Sequence, residues 1–251
     1  MLTISNLHKS FHDQPVLRGI DLKLEAGEIV GLIGRSGSGK STLARCMVGL
    51  ETAQSGEVLL QGQKIVFGQV ETRRRVQYLW QDPVQALSPF LSAHATVLET
   101  LNGFRIGDKQ DRNEHAGKLL DGFGITKDLS ARRPHMLSGG QCQRIAMARA
   151  VAAQPDVLIL DEPFSSLDLV TQLSTMQLLE RIHAIRPLTI LIISHDLAPL
   201  LRLCKRIAVL DQGRIAEELP NDDFLKGASH ALSRAYVEQL QGGMPNSGRV
   251  F

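Results

Sequence analysis

The chain has 251 residues, of which 43% are hydrophobic and 22% are charged, with a formal net charge of +2. It is long enough for one well-buried globular domain, and its balanced charge gives no electrostatic argument for binding nucleic acid. The dense basic run at residues 73–75 is interpreted as a solvated surface turn. Three widely spaced cysteines indicate neither a zinc site nor a disulfide framework. The apolar runs are far shorter than the ~20 residues needed to cross a bilayer, so the chain is not expected to form a channel.

Short apolar runs bounded by turn residues alternate with longer helical patterns, which predicts a largely parallel sheet covered by helices. Strands are predicted at residues 28–33, 57–60, 76–80, 157–161 and 190–194, followed by a hairpin at 206–215. Helices are predicted at residues 40–50, 111–123 and 139–153. The section from about 82 to 135 is rich in Pro, Ser, Gly and Asp, and it is predicted to form a helical lobe inserted into the core.

A glycine-rich loop follows the first predicted core strand and matches G-x-x-x-x-G-K-[ST] in full at residues 34–41. Its glycines let the backbone wrap around phosphate oxygens, and the following helix N-terminus adds unpaired N–H groups. Lys40 is expected to reach the β- and γ-phosphates of ATP, and the Ser41 hydroxyl to ligate Mg²⁺. The predicted phosphate-binding residues are Gly34, Arg35, Ser36, Gly37, Ser38, Gly39, Lys40, Ser41 and Thr42. The alternative is a glycine turn that contains a lysine by chance.

Two further features have the chemistry of a nucleotide site. Asp161 ends an apolar strand and suits a carboxylate that holds Mg²⁺, directly or through water, and Glu162 follows it immediately. A buried structural acid is the alternative, although it would be unusual at the end of so apolar a strand. Ser138-Gly139-Gly140-Gln141 opens a predicted helix, so its backbone amides form a second anion site.

In this order, the loop at 34–41, the stretch at 137–141 and the Asp161-Glu162 pair resemble the motifs of the ATP-binding cassette (ABC) family. The resemblance extends over residues 2 to 217. It implies an α/β P-loop NTPase (RecA-like) core with an antiparallel β subdomain and an inserted α-helical signature subdomain. The ATP-binding domain is expected at 1–230, with the helical subdomain at about 82–153, and residues 231–251 are expected to form a C-terminal tail.

The resemblance also implies roles for single residues. Glu162 is expected to position or deprotonate the attacking water, and His195 to contact the γ-phosphate and help orient that water. Gln81 is expected to sense the γ-phosphate and to join Ser41 and Asp161 in holding Mg²⁺. Phe11 lies where the family places an aromatic ring that stacks on adenine, and the alternative is a core Phe at a strand end.

Two cassettes of this family close around ATP, so the resemblance implies a pair. The second anion site then reaches the γ-phosphate that the opposite cassette holds, and the segment 165–168 lines the shared interface. The residues expected to act across this interface are Ser138, Gly139, Gly140, Gln141 and Asp168. The partner cassette is either a second copy of the chain or a different ATPase. Cys142, next to the second anion site, is interpreted as a packing residue in preference to a reactive thiol.

The segment Gln81-Asp82-Pro83-x-x-Ala86-Leu87-Ser88-Pro89 is similar to one found in the ATPases of peptide and nickel importers, and several smaller details resemble the nickel subunits. This similarity implies two multi-span permease subunits, a substrate-binding protein, and a peripheral location at the cytoplasmic face of the inner (plasma) membrane. Three alternatives stay open: an exporter subunit, a soluble ABC ATPase acting on nucleic acid or ribosomes, and a module that binds ATP without hydrolysing it. The presence of Glu162 counts against the last.

Overall fold

The computed structural model describes residues 1–165 and 167–242. In chain order its strands are β1 (Leu2–Phe11), β2 (Gln14–Leu24), β3 (Ile29–Ile33), β4 (Ser55–Leu60), β5 (Gln63–Lys64), β6 (Val76–Leu79), β7 (Val157–Asp161), β8 (Thr189–Ser194), β9 (Arg206–Asp211) and β10 (Arg214–Pro220). Its helices are α1 (Lys40–Met47), α2 (Val70–Arg75), α3 (Ala93–Gly103), α4 (Arg112–Gly122), α5 (Lys127–Ser130), α6 (Gly139–Ala152), α7 (Leu169–Ile185), α8 (Leu197–Leu203), α9 (Asn221–Gly227) and α10 (Ala231–Gly242). A short 3₁₀ turn, Pro134–Met136, precedes α6.

The core sheet has six strands in the order β10-β9-β3-β8-β7-β6. The five neighbouring strands β9, β3, β8, β7 and β6 run parallel to one another. The sixth strand, β10, pairs antiparallel with β9 and forms a hairpin with it. Every residue of β3, β7 and β8 is buried, as expected for strands that are covered on both faces. Because ligands of open α/β sheets bind at the carboxyl ends of the parallel strands, this edge is where the predicted site has to lie.

A second sheet, with the antiparallel order β2-β1-β4-β5, covers one side of the core. Its apolar residues form a hydrophobic cluster with α1 and one face of the core sheet, so α1 is held between the two sheets. The opposite face of the core sheet packs against α3, α4, α6, α7, α8 and α10 in a second cluster. The predicted combination of a parallel α/β core, an antiparallel sheet and a helical region is therefore present.

Some local predictions were incomplete. No element was predicted for residues 1–27, because bulges between β1 and β2 interrupt the alternation of apolar and polar residues that marks a strand. The helix α7 was missed as well, since Leu169 and Val170 are exposed apolar residues that obscure its periodicity. The predicted basic surface turn is part of the helix α2, where Arg74 pairs with Glu71.

The predicted C-terminal tail contains the helix α10, which packs against the core through Leu232 and Val237. The remainder of that tail, residues 243–251, lies outside the described residues, as does Ser166 of the interface segment. Within the described ranges, no helix combines the length and apolar character needed to span a membrane.

Glu217 on β10 anchors the start of α10. Its Oε1 accepts hydrogen bonds from the amide and hydroxyl groups of Ser229, at 2.8 and 2.5 Å, and from the His230 amide at 3.2 Å. Partial burial alone would raise the pKa of Glu217, but these donors and the Ser233 hydroxyl together outweigh burial and lower the pKa from 4.5 to about 2. The ionised carboxylate is therefore a tether between β10 and the C-terminal helix.

This tether predicts an acid-sensitive contribution to stability. Since the folded-state pKa lies below the unfolded value, the contribution is fully present above pH 4.5 and is lost as the pH falls toward about 2. We expect Glu217→Gln to lower the free energy of unfolding by about 2 kcal/mol at neutral pH, and by less in acid. Urea unfolding of wild type and variant at several pH values measures the difference, with Glu238→Gln on the exposed side of α10 as control. A difference that does not change with pH would contradict the tether.

Candidate functional site

The glycine-rich loop connects β3 to α1 and is packed tightly at its start. A Cβ atom on Gly34 would lie 2.3 Å from the carbonyl oxygen of Leu210, so no larger residue fits without moving β9. Gly39, at the helix N-cap, has φ of 107°, a conformation that L side chains rarely adopt. The loop therefore keeps its backbone amides close to the space above the carboxyl ends of the strands.

Lys40 lies inside this loop and is only 8% exposed. Its Nζ donates hydrogen bonds to the carbonyl oxygens of Gly34, at 2.7 Å, and Arg35, at 3.1 Å. Burial lowers the pKa of Lys40, while the nearby carboxylates of Glu162 and Asp161 oppose that shift. The side chain is thus a held cation that faces the carboxylates at the end of β7.

Asp161 ends β7 and is 3% exposed. Its Oδ2 accepts a hydrogen bond of 2.7 Å from the hydroxyl of Tyr78 on the neighbouring strand β6. Burial, and then the Asp161 carboxylate, raise the pKa of Tyr78, so this hydroxyl stays protonated as a donor. The second oxygen of Asp161, Oδ1, is buried and has no hydrogen-bond partner among the described residues. A buried carboxylate oxygen without a partner is unfavourable unless a cation or water satisfies it, so this atom fits a Mg²⁺ site.

Glu162 and His195 meet at the ends of the adjacent strands β7 and β8. The Nδ1 atom of His195 lies 2.8 Å from Oε2 of Glu162. The Glu162 backbone has a left-handed φ of 51°, and its backbone amide donates a 2.9 Å hydrogen bond to the carbonyl oxygen of Ile193. A non-glycine residue in this conformation is uncommon and is often found at functional sites. The arrangement gives a carboxylate oriented by a histidine at the edge of the phosphate loop.

These groups surround one cleft of about 460 Å³. It is lined by Phe11, Val16, Ser36, Gly37, Gly39, Lys40, Ser41, Thr42, Gln81, Glu162 and His195. Ten of these eleven were named from the sequence, and Val16 on β2 was missed. Gly34, Arg35 and Ser38 belong to the same loop without lining the cleft, and Asp161 is buried beside Tyr78.

Tyr78 was also missed from the sequence. A polar aromatic residue in a predicted strand was the available signal. Tyr78 pairs with Ile159, and its hydroxyl reaches Asp161 two residues further along β7, which is visible only in the structure. A larger cavity of about 540 Å³ contains none of the predicted residues and lies between α6 and α7, where Arg144 and Ser174 are part of its wall. The predicted site residues therefore do not lie in the larger of these two cavities.

The second predicted anion site does not line the same cleft. Ser138 caps α6 with a complete capping box: its hydroxyl accepts from the Gln141 amide, and the Gln141 side chain accepts from the Ser138 amide. A Cβ atom on Gly140 would lie 2.6 Å from Cγ2 of Thr171 at the start of α7. The backbone amide and the hydroxyl of Thr171 donate hydrogen bonds to the carboxylate of Asp168. Because Thr171 contacts both Gly140 and Asp168, Asp168 and the 138–141 turn lie side by side. Cys142, one residue further, is fully buried.

Burial also raises the pKa of the Cys142 thiol, as expected for a packing residue.

Comparisons with known proteins agree with this geometry. The family model described as ABC transporter matches residues 17–165. A peptide import ATP-binding protein of Brucella ovis is 34% identical over an alignment of 255 residues, which covers 98% of this chain and 80% of that protein. The nickel import ATP-binding protein NikE of Pseudomonas putida is 41% identical over 209 residues, or 82% of this chain and 77% of that protein.

The oligopeptide transport ATP-binding protein OppF of Lactococcus lactis is 35% identical over 226 residues, which cover 88% of this chain and 71% of that protein. Among solved structures, a dimeric ATP-binding cassette in a post-hydrolysis state with ADP and phosphate aligns with a TM-score of 0.78 and 28% identity. It covers 88% of this chain and 99% of that chain. The motifs, the fold and these relatives agree, and the chain belongs to the ABC transporter family as an ATP-binding cassette.

Proposed function

We propose that the chain is the ATP-hydrolysing motor subunit of a membrane importer, and that Mg²⁺ is its cofactor. The observation that carries the proposal is the pairing of Glu162 with His195 at 2.8 Å, on the wall of the cleft that the phosphate loop lines. A cassette that only bound ATP would not need an oriented carboxylate at this place.

Nucleotide binding uses the two ends of the cleft. At one end, the amides of residues 36–42 and the Lys40 ammonium hold the phosphates, and the hydroxyl of Ser41 and the carboxylate of Asp161 would hold Mg²⁺. At the other end, the exposed ring of Phe11 stacks on the adenine. Gln81 lines the cleft and would complete the cation site.

Hydrolysis is in-line attack of water on the γ-phosphorus, which breaks the bond to the bridging oxygen and releases ADP and phosphate. Glu162 accepts the proton of the attacking water, and His195 holds the Glu162 carboxylate in place. A Mg²⁺ ion held by Ser41 and Asp161 would supply charge neutralisation at the phosphate oxygens. Lys40, on the wall of the same cleft, stabilises the negative charge of the transferred phosphoryl group.

The chain acts as one half of a pair. Ser138–Gln141 and Asp168 do not line the cleft that holds the phosphate loop, which supports their action on nucleotide held by a second cassette. The dimeric cassette with the same fold supports the same arrangement. The partner is a second copy of this chain or a related ATPase.

The transported substrates are peptides or nickel and other metal chelates, by similarity to relatives named for peptide and nickel import. Two multi-span permease subunits and a substrate-binding protein complete the system, and the chain lies at the cytoplasmic face of the inner (plasma) membrane without binding nucleic acid. Purification of the tagged chain from its native cells after mild detergent extraction tests this. Recovery of two multi-span proteins is expected, whereas recovery of ribosomes or DNA-repair proteins would overturn the transport proposal.

The permease contact is proposed to include the exposed apolar residues that follow β6. Trp80, Val84 and Phe90 are 46%, 45% and 79% exposed, while Leu87 between them is buried and anchors the segment. Apolar side chains held at the surface in this way are typical of protein interfaces. Since deletion of the segment would remove Leu87 from the core, a surface substitution is the better test.

We expect Phe90→Ser to reduce the recovery of the permease subunits about tenfold or more while leaving ATP binding intact. Ile185→Ser is a matched control, because Ile185 is 87% exposed but lies at the end of α7. Quantitative mass spectrometry of the purified complexes measures the recovery. Equal recovery with both variants would remove Phe90 from the contact.

A further inference from the structure

Lys9 is a buried cation beside the nucleotide cleft that no role above uses. It lies on β1 two residues before Phe11 and is 9% exposed. Its Nζ donates a 2.8 Å hydrogen bond to the carbonyl oxygen of Thr52 and lies 3.1 Å from Oε2 of Glu51. The same ammonium lies over the Phe11 ring, 4.6 Å from the ring centroid. Burying a lysine is unfavourable unless its charge is compensated, and here three groups compensate it.

Phe11 by itself is weakly held. It is the last residue of β1, at the tip of a hairpin whose turn residues His12 and Asp13 both have positive φ, of 46° and 64°. The ring is 38% exposed, and the strand pairing is irregular between Lys9 and Ser10. A ring in this position needs support from outside the hairpin if it is to present one face to a base.

The support comes from residues 51–54, which follow α1. Besides the Lys9 contacts, the Gln54 side chain accepts from the Ser10 amide at 2.8 Å and donates to the Ser10 carbonyl at 2.9 Å. The backbone amide of Gln54 donates a hydrogen bond of 2.9 Å to the carbonyl oxygen of His8. Because α1 begins at the phosphate loop, the helix and this segment form a continuous connection between the phosphate loop and the end of β1.

We propose that Lys9 is a positioning residue for the nucleotide base. It occupies one face of the Phe11 ring, so that the base would stack on the other, and it fixes the distance between the stacking ring and the phosphate loop through Glu51 and Thr52. A cation on one face also draws electron density from the ring, which favours stacking with an electron-rich purine on the other. This inference rests on the proposed function, since it takes Phe11 to be the base-stacking residue.

The test compares a ligand that has a base with one that lacks it. We expect Lys9→Met to weaken ATP binding about threefold to tenfold and to leave the affinity for inorganic tripolyphosphate unchanged, because tripolyphosphate contacts only the phosphate loop. Lys9→Arg keeps the positive charge and should retain most of the wild-type affinity for ATP. Lys23→Met is the matched control, since Lys23 lies on β2 and pairs with Glu25 at the surface. Titration calorimetry on the full chain measures each affinity.

If Lys9 had only a structural role, Lys9→Met would lower the affinity for ATP and for tripolyphosphate equally. That result, or an unchanged affinity for ATP, overturns the inference. A double-mutant cycle adds a second readout: in a Phe11→Leu background, Lys9→Met should have no further effect on ATP affinity. If Lys9→Met does not fold, Glu51→Gln removes the ion pair and keeps the lysine. This variant should also lower the affinity for ATP. Wild-type chain that binds neither ligand would instead contradict the proposed function.

Discussion

Glu162→Gln is expected to bind ATP with nearly unchanged affinity and to hydrolyse it at least about a hundredfold more slowly than the wild type. The amide keeps the shape of the carboxylate and its contact with His195, but it cannot accept the proton of the attacking water. Because ATP then persists between two cassettes, the variant should also accumulate as a closed dimer when ATP is added. Phosphate release measures the rate, and light scattering with and without ATP measures the dimer.

Glu114→Gln is the control for this prediction, because Glu114 is an exposed residue of α4 that pairs with Lys118 at the surface. It should match the wild type in both measurements. Normal hydrolysis by Glu162→Gln would refute the catalytic assignment of Glu162. Slow hydrolysis with no ATP-dependent dimer would keep the catalytic role but remove the argument for a paired motor.

Lys40→Ala should reduce ATP affinity by at least about a hundredfold, so that binding is no longer detected at millimolar nucleotide. The ammonium is the single buried cation at the floor of the phosphate loop within the described residues, and its loss leaves Asp161 and Glu162 to repel the phosphates. Calorimetric titration with ATP measures the loss, and the far-ultraviolet circular dichroism spectrum should be unchanged.

Lys118→Ala, at an exposed position of α4, provides the comparison for charge removal without loss of the site. It should bind ATP as the wild type does. If Lys40→Ala kept the wild-type affinity while remaining folded, the phosphates would have to be held by the loop amides alone. The assignment of Lys40 to the β- and γ-phosphates would then be wrong.

The central strands and the hairpin of the core were predictable because their signal is local. Residues 157–160 are apolar in one short run that ends at Asp161, and the strand Val157–Asp161 has the predicted bounds. The phosphate loop was predictable for a related reason, since its glycines and Lys40 are adjacent in the chain. The helix α3 was not assigned, because residues 82–135 combine turn-forming residues with weak periodicity and their helix is stabilised by packing on α4 and α6.

Chemistry carried by neighbours in the chain was determined by the sequence: the phosphate-binding loop, the carboxylates that end β7, and the capped turn that opens α6. Membership of the ABC transporter family followed from their order. Contacts between distant residues required the folded chain, because strand pairing and side-chain direction decide them. The hydroxyl of Tyr78 on Asp161, the pairing of Glu162 with His195, and the ion pair of Lys9 with Glu51 are such contacts. The first two are set by the order and register of β6, β7 and β8 in the core sheet, and the third by the position of the segment after α1 beside β1. No local pattern in the sequence records these arrangements.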